Sequence, residues 1–147
     1  MKNTSPGFTL TELLIVIAII GILAAIALPY MRGHIIKAKL SEVENAMSMA
    51  ATGVSQYYQE TNGASWPDCP TLVELRNSLG VSLGAATRVS AMSVAGNGVI
   101  TATVQNIDPL VDNKTLILSP SVASDSSISW NWGASADFPM WLKPRSN

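Results

Sequence analysis

The sequence predicts an α+β fold in which a long N-terminal helix packs against a C-terminal antiparallel β-sheet. The helix is predicted by residues 8–31, an apolar run longer than the roughly 20 residues needed to cross a bilayer. It is also predicted by residues 36–57, where apolar side chains recur at alternating steps of four and three. Short alternating runs between residues 88 and 132 predict the sheet. One apolar helix face and one apolar sheet face then cover each other in a two-layer head.

The apolar run carries a single charge, Glu12, near its start. A carboxylate inside a membrane-spanning segment is costly unless a positive group pairs with it, so Glu12 is a candidate functional residue. The run alone also fits a plain membrane anchor or a secretory signal, for which residues 24–27 supply small side chains at a cleavage site. The order of features argues against a secretory signal, because the polar stretch 1–7 comes first and the acid follows soon after the first apolar residue.

The sequence GFTLTELL at residues 7–14 resembles the processing site of type IV pilins and their pseudopilin relatives. The resemblance implies that residues 1–7 are a leader, which a prepilin peptidase removes by cutting between Gly7 and Phe8 before it methylates the new amine of Phe8. It also implies a pilin-like fold and single-pass storage in the inner membrane. An inner-membrane pilus assembly platform would then add the subunits to a homo-oligomeric extracellular filament.

The chain departs from this pattern at three points. Thr11 stands where the family usually has an aliphatic residue, and Pro6 precedes the scissile Gly7. Lys2 is the one basic side chain before the apolar run, whereas three basic residues follow it closely: Arg32, Lys37 and Lys39. The positive-inside count therefore opposes the orientation that the resemblance implies, and the inward-facing leader is inferred from the motif alone.

The motif also has a direct electrostatic interpretation. A cut before Phe8 creates an amine that is largely cationic at neutral pH, and Glu12 lies about one helical turn further along. The two charges can pair within one helix or, as the resemblance implies, between neighbouring subunits of a filament. Because an unpaired charge is costly in a low dielectric, such a pair would set the stagger of the helices more than it adds affinity.

Two residues are predicted to weaken the apolar helix. Pro29 removes a backbone donor between the two helical stretches, and Gly21 has a low helix propensity. A kink or local melting is therefore expected at these residues. Residues 8–31 are predicted to form the transmembrane and assembly half of the helix, and residues 32–60 its amphipathic half.

Residues 61–147 are predicted to form a globular α+β head. A short helix is expected at residues 70–80, where Thr71 and Glu74 have capping-box spacing and Gly80 provides the stop. The antiparallel sheet is expected over residues 88–132, with a hairpin turn at residues 95–98. Its four strands are predicted at residues 88–94, 98–105, 115–119 and 127–132.

The C-terminal aromatic loop, residues 130–147, is similar in layout to that of type IV major pilins, which usually close the loop with two cysteines. The chain has one cysteine, Cys69, so an internal disulfide is excluded. Packing of Trp132, Phe138 and Trp141, in the core or at a subunit contact, is predicted to hold the loop instead, with a sugar-binding aromatic patch as the alternative. Cys69 is interpreted as a small buried hydrophobe, with an interchain disulfide or an attached prosthetic group as alternatives.

Composition gives little indication of catalysis or of nucleic-acid binding. The net charge is −1 and 13% of the residues are charged, so no basic footprint for nucleic acid is present. His34 lies near no cysteine or carboxylate cluster in the sequence, and the spacing of Asp108 and Asp112 does not fit a calcium loop. We therefore predict no catalytic, cofactor or metal site, and no enzymatic activity.

The predicted function is that of a structural subunit of a type IV pilus, which supports adhesion, twitching motility or DNA uptake. A second hypothesis within the same family is a pseudopilin of a type II secretion system. A hypothesis from another class is a membrane-anchored module whose aromatic C-terminal loop binds glycan or DNA.

Overall fold

The computed structural model describes residues 7–80 and 87–145, so the predicted leader lies outside the described residues except for Gly7. Within these residues, two α-helices, four strands and a 3-10 turn follow one another. They are α1 (Leu10–Glu60), α2 (Leu72–Leu79), β1 (Val89–Val94), β2 (Ile100–Val104), β3 (Thr115–Val122), β4 (Ile128–Ala134) and the 3-10 helix η1 (Met140–Leu142). The predicted α+β fold is confirmed. The chain divides into two compact units, Met1–Ile35 and Ile36–Asn147.

The first unit holds the apolar part of α1. This segment is long and apolar enough to cross a membrane, and none of it is buried within the chain. The helix assignment is continuous through Gly21 and Pro29. The kink or melting predicted at these two residues stays a prediction.

The second unit contains a four-stranded antiparallel sheet with the strand order β1-β2-β3-β4. All four predicted strands are present, although β3 runs on through Pro120 to Val122. Beyond Leu118, β3 pairs with β4 alone, so one side of the strand is open. A proline is tolerated at such an edge because no ladder hydrogen bond is required of it on the open side.

The core of the second unit lies between the amphipathic part of α1 and one face of the sheet. The helix contributes the predicted stripe together with two alanines beside it: Ile36, Leu40, Val43, Ala46, Met47, Ala50, Ala51 and Val54. From β2, Ile100, Ala102 and Val104 are buried, whereas the threonines between them are not. These side chains form one cluster, so the predicted two-layer packing is confirmed.

Local hydrogen bonds and left-handed glycines close the helix ends of this unit, and those of α2 follow the predicted signals. After α1, the backbone N–H of Gly63 donates to the Tyr58 carbonyl at 2.8 Å, and Gly63 has a φ of +75°. At the start of α2, the Thr71 hydroxyl accepts a hydrogen bond from the backbone N–H of Glu74 at 3.2 Å. Gly80 ends this helix in the left-handed conformation, with a φ of +63°.

Cys69 extends the edge of the sheet through its backbone. Its N–H donates to the Val94 carbonyl at 2.8 Å, and the Val94 N–H donates back to the Cys69 carbonyl at 2.8 Å. The Cys69 side chain is 1% exposed, and this burial raises the pKa of the thiol, which favours its neutral form. The interpretation of Cys69 as a buried hydrophobe is confirmed for the single chain.

The C-terminal loop after β4 is closed without a disulfide. Phe138 is buried and Trp132 packs against the core, as predicted. Trp141 does not pack in the core, because this side chain is 57% exposed while its neighbour Leu142 is 1% exposed, and its packing at a subunit contact stays a prediction. The 3-10 turn η1 is the reason: it directs Leu142 into the core and leaves Trp141 outside, so an aliphatic side chain completes the packing.

Polar contacts also tie this loop to β3. The Ser135 N–H donates to the Thr115 carbonyl at 2.9 Å, and the Ser135 hydroxyl accepts from the Thr115 N–H at 3.3 Å. The Lys114 ammonium donates to the Asp137 carbonyl at 2.5 Å and lies 3.8 Å from its carboxylate. The Ser135 hydroxyl, with the nearby Lys114 charge, holds the pKa of the Asp137 carboxyl below its usual range.

Candidate functional site

The candidate site is the amino end of α1, where the predicted cleavage and assembly residues lie. Thr9 and Glu12 form a reciprocal capping arrangement at this end. The Thr9 N–H donates to Oε2 of Glu12 at 3.0 Å, and the Thr9 hydroxyl donates to the same oxygen at 2.7 Å. The Glu12 N–H lies 3.3 Å from the Thr9 hydroxyl oxygen and donates to it. The backbone N–H groups of Thr9 and Glu12 therefore have side-chain partners within the first turn of the helix.

Sequence reasoning missed the role of Thr9, although the signal was available. Thr9 and Glu12 have the same Thr-x-x-Glu spacing that predicted the cap at Thr71 and Glu74. The consequence is that the carboxylate has hydrogen-bond donors within its own chain before any neighbour arrives.

The residues on either side of the predicted cut are open to the surroundings. The Phe8 side chain is 82% exposed. A Cβ atom added at Gly7 would meet no atom within 4 Å, and Gly7 has no positive φ. The fold of the single chain therefore gives no reason for a glycine at position 7, and the peptide bond between Gly7 and Phe8 is sterically accessible.

The helix surface over residues 13–31 is apolar and exposed. Its large side chains include Leu13, Leu14, Ile15, Val16, Ile17, Ile19, Ile20, Ile22, Leu23, Ile26, Leu28 and Met31, all of which are exposed in the single chain. An exposed apolar surface of this extent marks a contact with membrane or protein. The first unit therefore offers a surface for lipid or for protein.

The other sequence candidates do not form a second site. Oδ1 of Asp112 accepts from the N–H of Ile107 at 2.9 Å, and Oδ1 of Asp108 accepts from the N–H of Leu110 at 3.0 Å, so both carboxylates cap turns of their own loop. The ring of His34 lies 5.6 Å from that of Tyr30, centroid to centroid. Within residues 7–80 and 87–145, no three His, Cys, Asp or Glu side chains converge as a metal site would require.

Comparison with known proteins identifies the chain's relatives. Residues 2–28 match the prokaryotic N-terminal methylation motif, and residues 36–144 match the family described as pilin (bacterial filament). The chain belongs to the pilin family. The pilin is 39% identical to the fimbrial protein EcpC of Eikenella corrodens, over 93% of this chain and 88% of that protein.

Two further relatives extend this result. The type IV major pilin protein PilE of Neisseria gonorrhoeae is 35% identical over 90% of this chain and 77% of its own length. A fimbrial protein of Neisseria meningitidis serogroup A is 35% identical over 90% of this chain and 75% of its own length. These relatives and the family match confirm the sequence-based resemblance, and the pilin is a structural subunit of a pilus. The type II secretion alternative is not favoured.

Proposed function

We propose that this pilin is made with a seven-residue leader, cut between Gly7 and Phe8 by a prepilin peptidase, and methylated on the Phe8 amine. The match of residues 2–28 to the N-terminal methylation motif supports processing in this segment. The accessibility of the Gly7–Phe8 bond and the absence of a structural need for glycine at position 7 support the position of the cut. Glycine at this position then serves the peptidase and not the fold.

Before assembly, the pilin is a single-pass protein of the inner membrane, held by residues 8–31. The exposed apolar surface of the first unit and its capacity to span a bilayer support this step. An assembly platform in the same membrane then moves subunits into an extracellular filament. Lipid and a bundle of apolar helices are similar in polarity, so the free-energy change on moving the helix from lipid into the filament is small. An external machine therefore sets the direction of the transfer.

In the filament, the methylated Phe8 amine of one subunit pairs with the Glu12 carboxylate of a neighbour. The observation that carries this proposal is that Glu12 is the one charge between residues 8 and 31 and lies one turn from the new terminus. Thr9 satisfies part of the carboxylate in the single chain, which lowers the cost of holding Glu12 in lipid before the neighbour's amine arrives. The ion pair would fix the axial stagger of the helices.

Gly21 and Pro29 act as the points where the helix kinks or melts during packing in the filament. Their low helix propensities support this role. A Cβ atom added at Gly21 would meet no atom within 4 Å, so this glycine serves no close contact in the single chain. The role of the protein is structural and not enzymatic, and the filament supports adhesion, twitching motility or DNA uptake.

Mass spectrometry of the N-terminal peptide from purified filaments tests the processing step. We expect a peptide that begins at Phe8 and carries one additional methyl group. A peptide that begins at Met1, or one cut after Ala27 as in a secretory signal, would contradict the proposal. Because this assay reads covalent structure, it tests processing separately from the proposed ion pair.

The Glu12→Ala variant tests the assembly step, with Glu60→Ala as the matched control at the other end of the same helix. We expect the Glu12 variant to be processed and membrane-inserted but absent from sheared filaments, whereas the Glu60 variant assembles normally. Glu12→Gln keeps the shape of the side chain without its charge and should also fail. Normal filament yield from the Glu12 variants would remove the proposed ion pair.

A further inference from the structure

The second unit contains a basic cleft that none of the roles above uses. It has a volume of about 720 Å³ and lies between one face of α1 and the end of the C-terminal loop. Its lining comprises Lys37, Ala38, Ser41 and Glu44 from α1, and Met140, Trp141, Leu142, Lys143, Pro144 and Arg145 from the loop. The volume falls in the range of small-ligand sites, about 300 to 1,000 Å³.

Positive charge is concentrated in this basic cleft. Three of the chain's nine lysines and arginines line it, although the net charge of the whole chain is −1. Glu44 is the one acidic residue of the lining, and it interacts electrostatically with Lys37. Within the described part of the chain, Lys143 and Arg145 form no ion pair at 4.0 Å or less. The cleft therefore keeps a net positive charge and suits an anionic group.

The rim of the basic cleft is apolar and exposed. Met140 is 87% exposed and Trp141 is more than half exposed, next to the cations of Lys143 and Arg145. Tryptophan beside lysine or arginine is the combination that proteins place at the bilayer interface, where the indole ring lies among the headgroups and the cations reach phosphates. This combination favours a lipid headgroup over a nucleic acid, since an extended polyanion needs a longer basic stripe.

Chain connectivity places the basic cleft near a membrane surface. Lys37 follows Met31, the last residue of the apolar run, by six positions. Even a fully extended stretch of six residues spans no more than about 20 Å, so Lys37 stays within that distance of the hydrocarbon when residues 8–31 are inserted. A headgroup site here would give a role to Lys37, one of the three basic residues that follow the apolar run against the positive-inside count.

We propose that the basic cleft binds the phosphate headgroup of an anionic phospholipid in the membrane that holds the unassembled pilin. Lys37, Lys143 and Arg145 contact the phosphate, and Trp141 with Met140 lies against the glycerol and upper acyl region. The inference rests on the proposed membrane storage of the subunit. Its consequence is that the lipid clamps the C-terminal loop until the subunit leaves the bilayer, so that assembly includes release of a headgroup.

The test uses the full-length pilin in detergent micelles, titrated with phosphatidylglycerol or phosphatidylcholine, with bound lipid counted by native mass spectrometry. Arg145→Glu reverses one charge in the cleft, and the matched control Arg76→Glu reverses an exposed arginine of α2 outside it. We expect wild type and the Arg76 variant to prefer phosphatidylglycerol. The Arg145 variant should lose about 10- to 30-fold in apparent affinity for it, with phosphatidylcholine unchanged.

A milder variant and a fold check keep the result interpretable. Lys143→Gln should lower the apparent affinity for phosphatidylglycerol about 5-fold. Thermal unfolding followed by tryptophan fluorescence should show that all variants remain folded. Equal phosphatidylglycerol binding by the Arg145 and Arg76 variants would overturn the proposal. So would a short DNA duplex that binds wild type through Arg145 without competition from the lipid, or crosslinks from the cleft to a neighbouring subunit with lipid preference unaffected by Arg145→Glu.

A separate measurement distinguishes failure of this inference from failure of the proposed function. Vesicles that carry wild-type pilin are washed with alkaline carbonate, which removes peripheral proteins but not inserted ones. Loss of the pilin in the wash would contradict membrane storage itself. Retention in the wash, with no preference for phosphatidylglycerol in micelles, would leave the anchor intact and remove the headgroup site alone.

Discussion

The substitution Gly98→Ala should destabilise the second unit, because Gly98 combines a positive φ with a close aromatic neighbour. Its φ is +80°, and an added Cβ atom would lie 2.6 Å from Cδ2 and Cε3 of Trp66 and 2.9 Å from Cγ of Pro120. Trp66 cannot simply retreat, since its ring stacks on Tyr58 at a centroid distance of 4.0 Å and an interplanar angle of 22°. The turn between β1 and β2 therefore has no room for a side chain here.

The magnitude follows from two contributions. A left-handed conformation costs a non-glycine residue about 1 to 2 kcal/mol, and forcing a methyl group into an occupied site costs about 1 to 3 kcal/mol. We expect the free energy of unfolding to fall by about 2 to 5 kcal/mol. At about 4 °C per kcal/mol for a domain of this size, the melting temperature should fall by at least about 8 °C.

Gly96→Ala is the matched control in the same turn. An added Cβ at Gly96 would meet no atom within 4 Å, and its φ is not positive, so the change should be neutral or stabilising by up to about 1 kcal/mol. The assay is thermal unfolding of the full-length pilin in detergent, followed by tryptophan fluorescence. All four tryptophans lie in the second unit, so the signal reports that unit alone. Melting of both variants within about 2 °C of each other would refute the reasoning.

Three further predictions concern the packing and pH response of the same unit. Leu142→Ala should lower the free energy of unfolding by about 2 to 5 kcal/mol, whereas Trp141→Ala should change it by less than about 1 kcal/mol; equal denaturant midpoints would contradict the packing described for η1. Because folding raises the pKa of the Cys69 thiol, the neutral thiol contributes to the stability of the folded state. This contribution is fully present below the ordinary pKa of 9.0 and is lost as pH rises through the folded-state pKa. The stability of wild type relative to Cys69→Ala should therefore decline between pH 8 and pH 10.5, and a constant difference would exclude this linkage. Because folding lowers the pKa of the Asp137 carboxyl, the ionised carboxylate contributes to the stability of the folded state. This contribution is present above the ordinary pKa of 3.8 and is lost as pH falls through the folded-state pKa. The difference in the free energy of unfolding between wild type and Asp137→Asn, measured with urea, should therefore shrink from pH 7 to pH 3, and a difference that grows would contradict a lowered pKa.

The regular elements could be predicted because each is encoded by a local period. The apolar run, the stripe at steps of four and three and the alternation of β2 each report which face of an element meets water, lipid or core. The caps at Thr71 and Gly80 are equally local, since a side chain satisfies backbone groups only a few residues away. The proposed assembly residues Phe8 and Glu12 follow from a motif and from the cost of a charge in an apolar segment, and their role in assembly stays a prediction.

Sequence by itself determined the anchor, the helix, the strands and the family of this pilin, because these features depend on neighbours along the chain. The tertiary structure alone decided that Leu142 and not Trp141 enters the core, that Trp66 covers Gly98, and that Lys37 shares a cleft with residues 143–145. These contacts join irregular segments that have no period, across separations of 30 to more than 100 residues. Side-chain direction in such segments is set by the space left between packed elements, which no local pattern encodes.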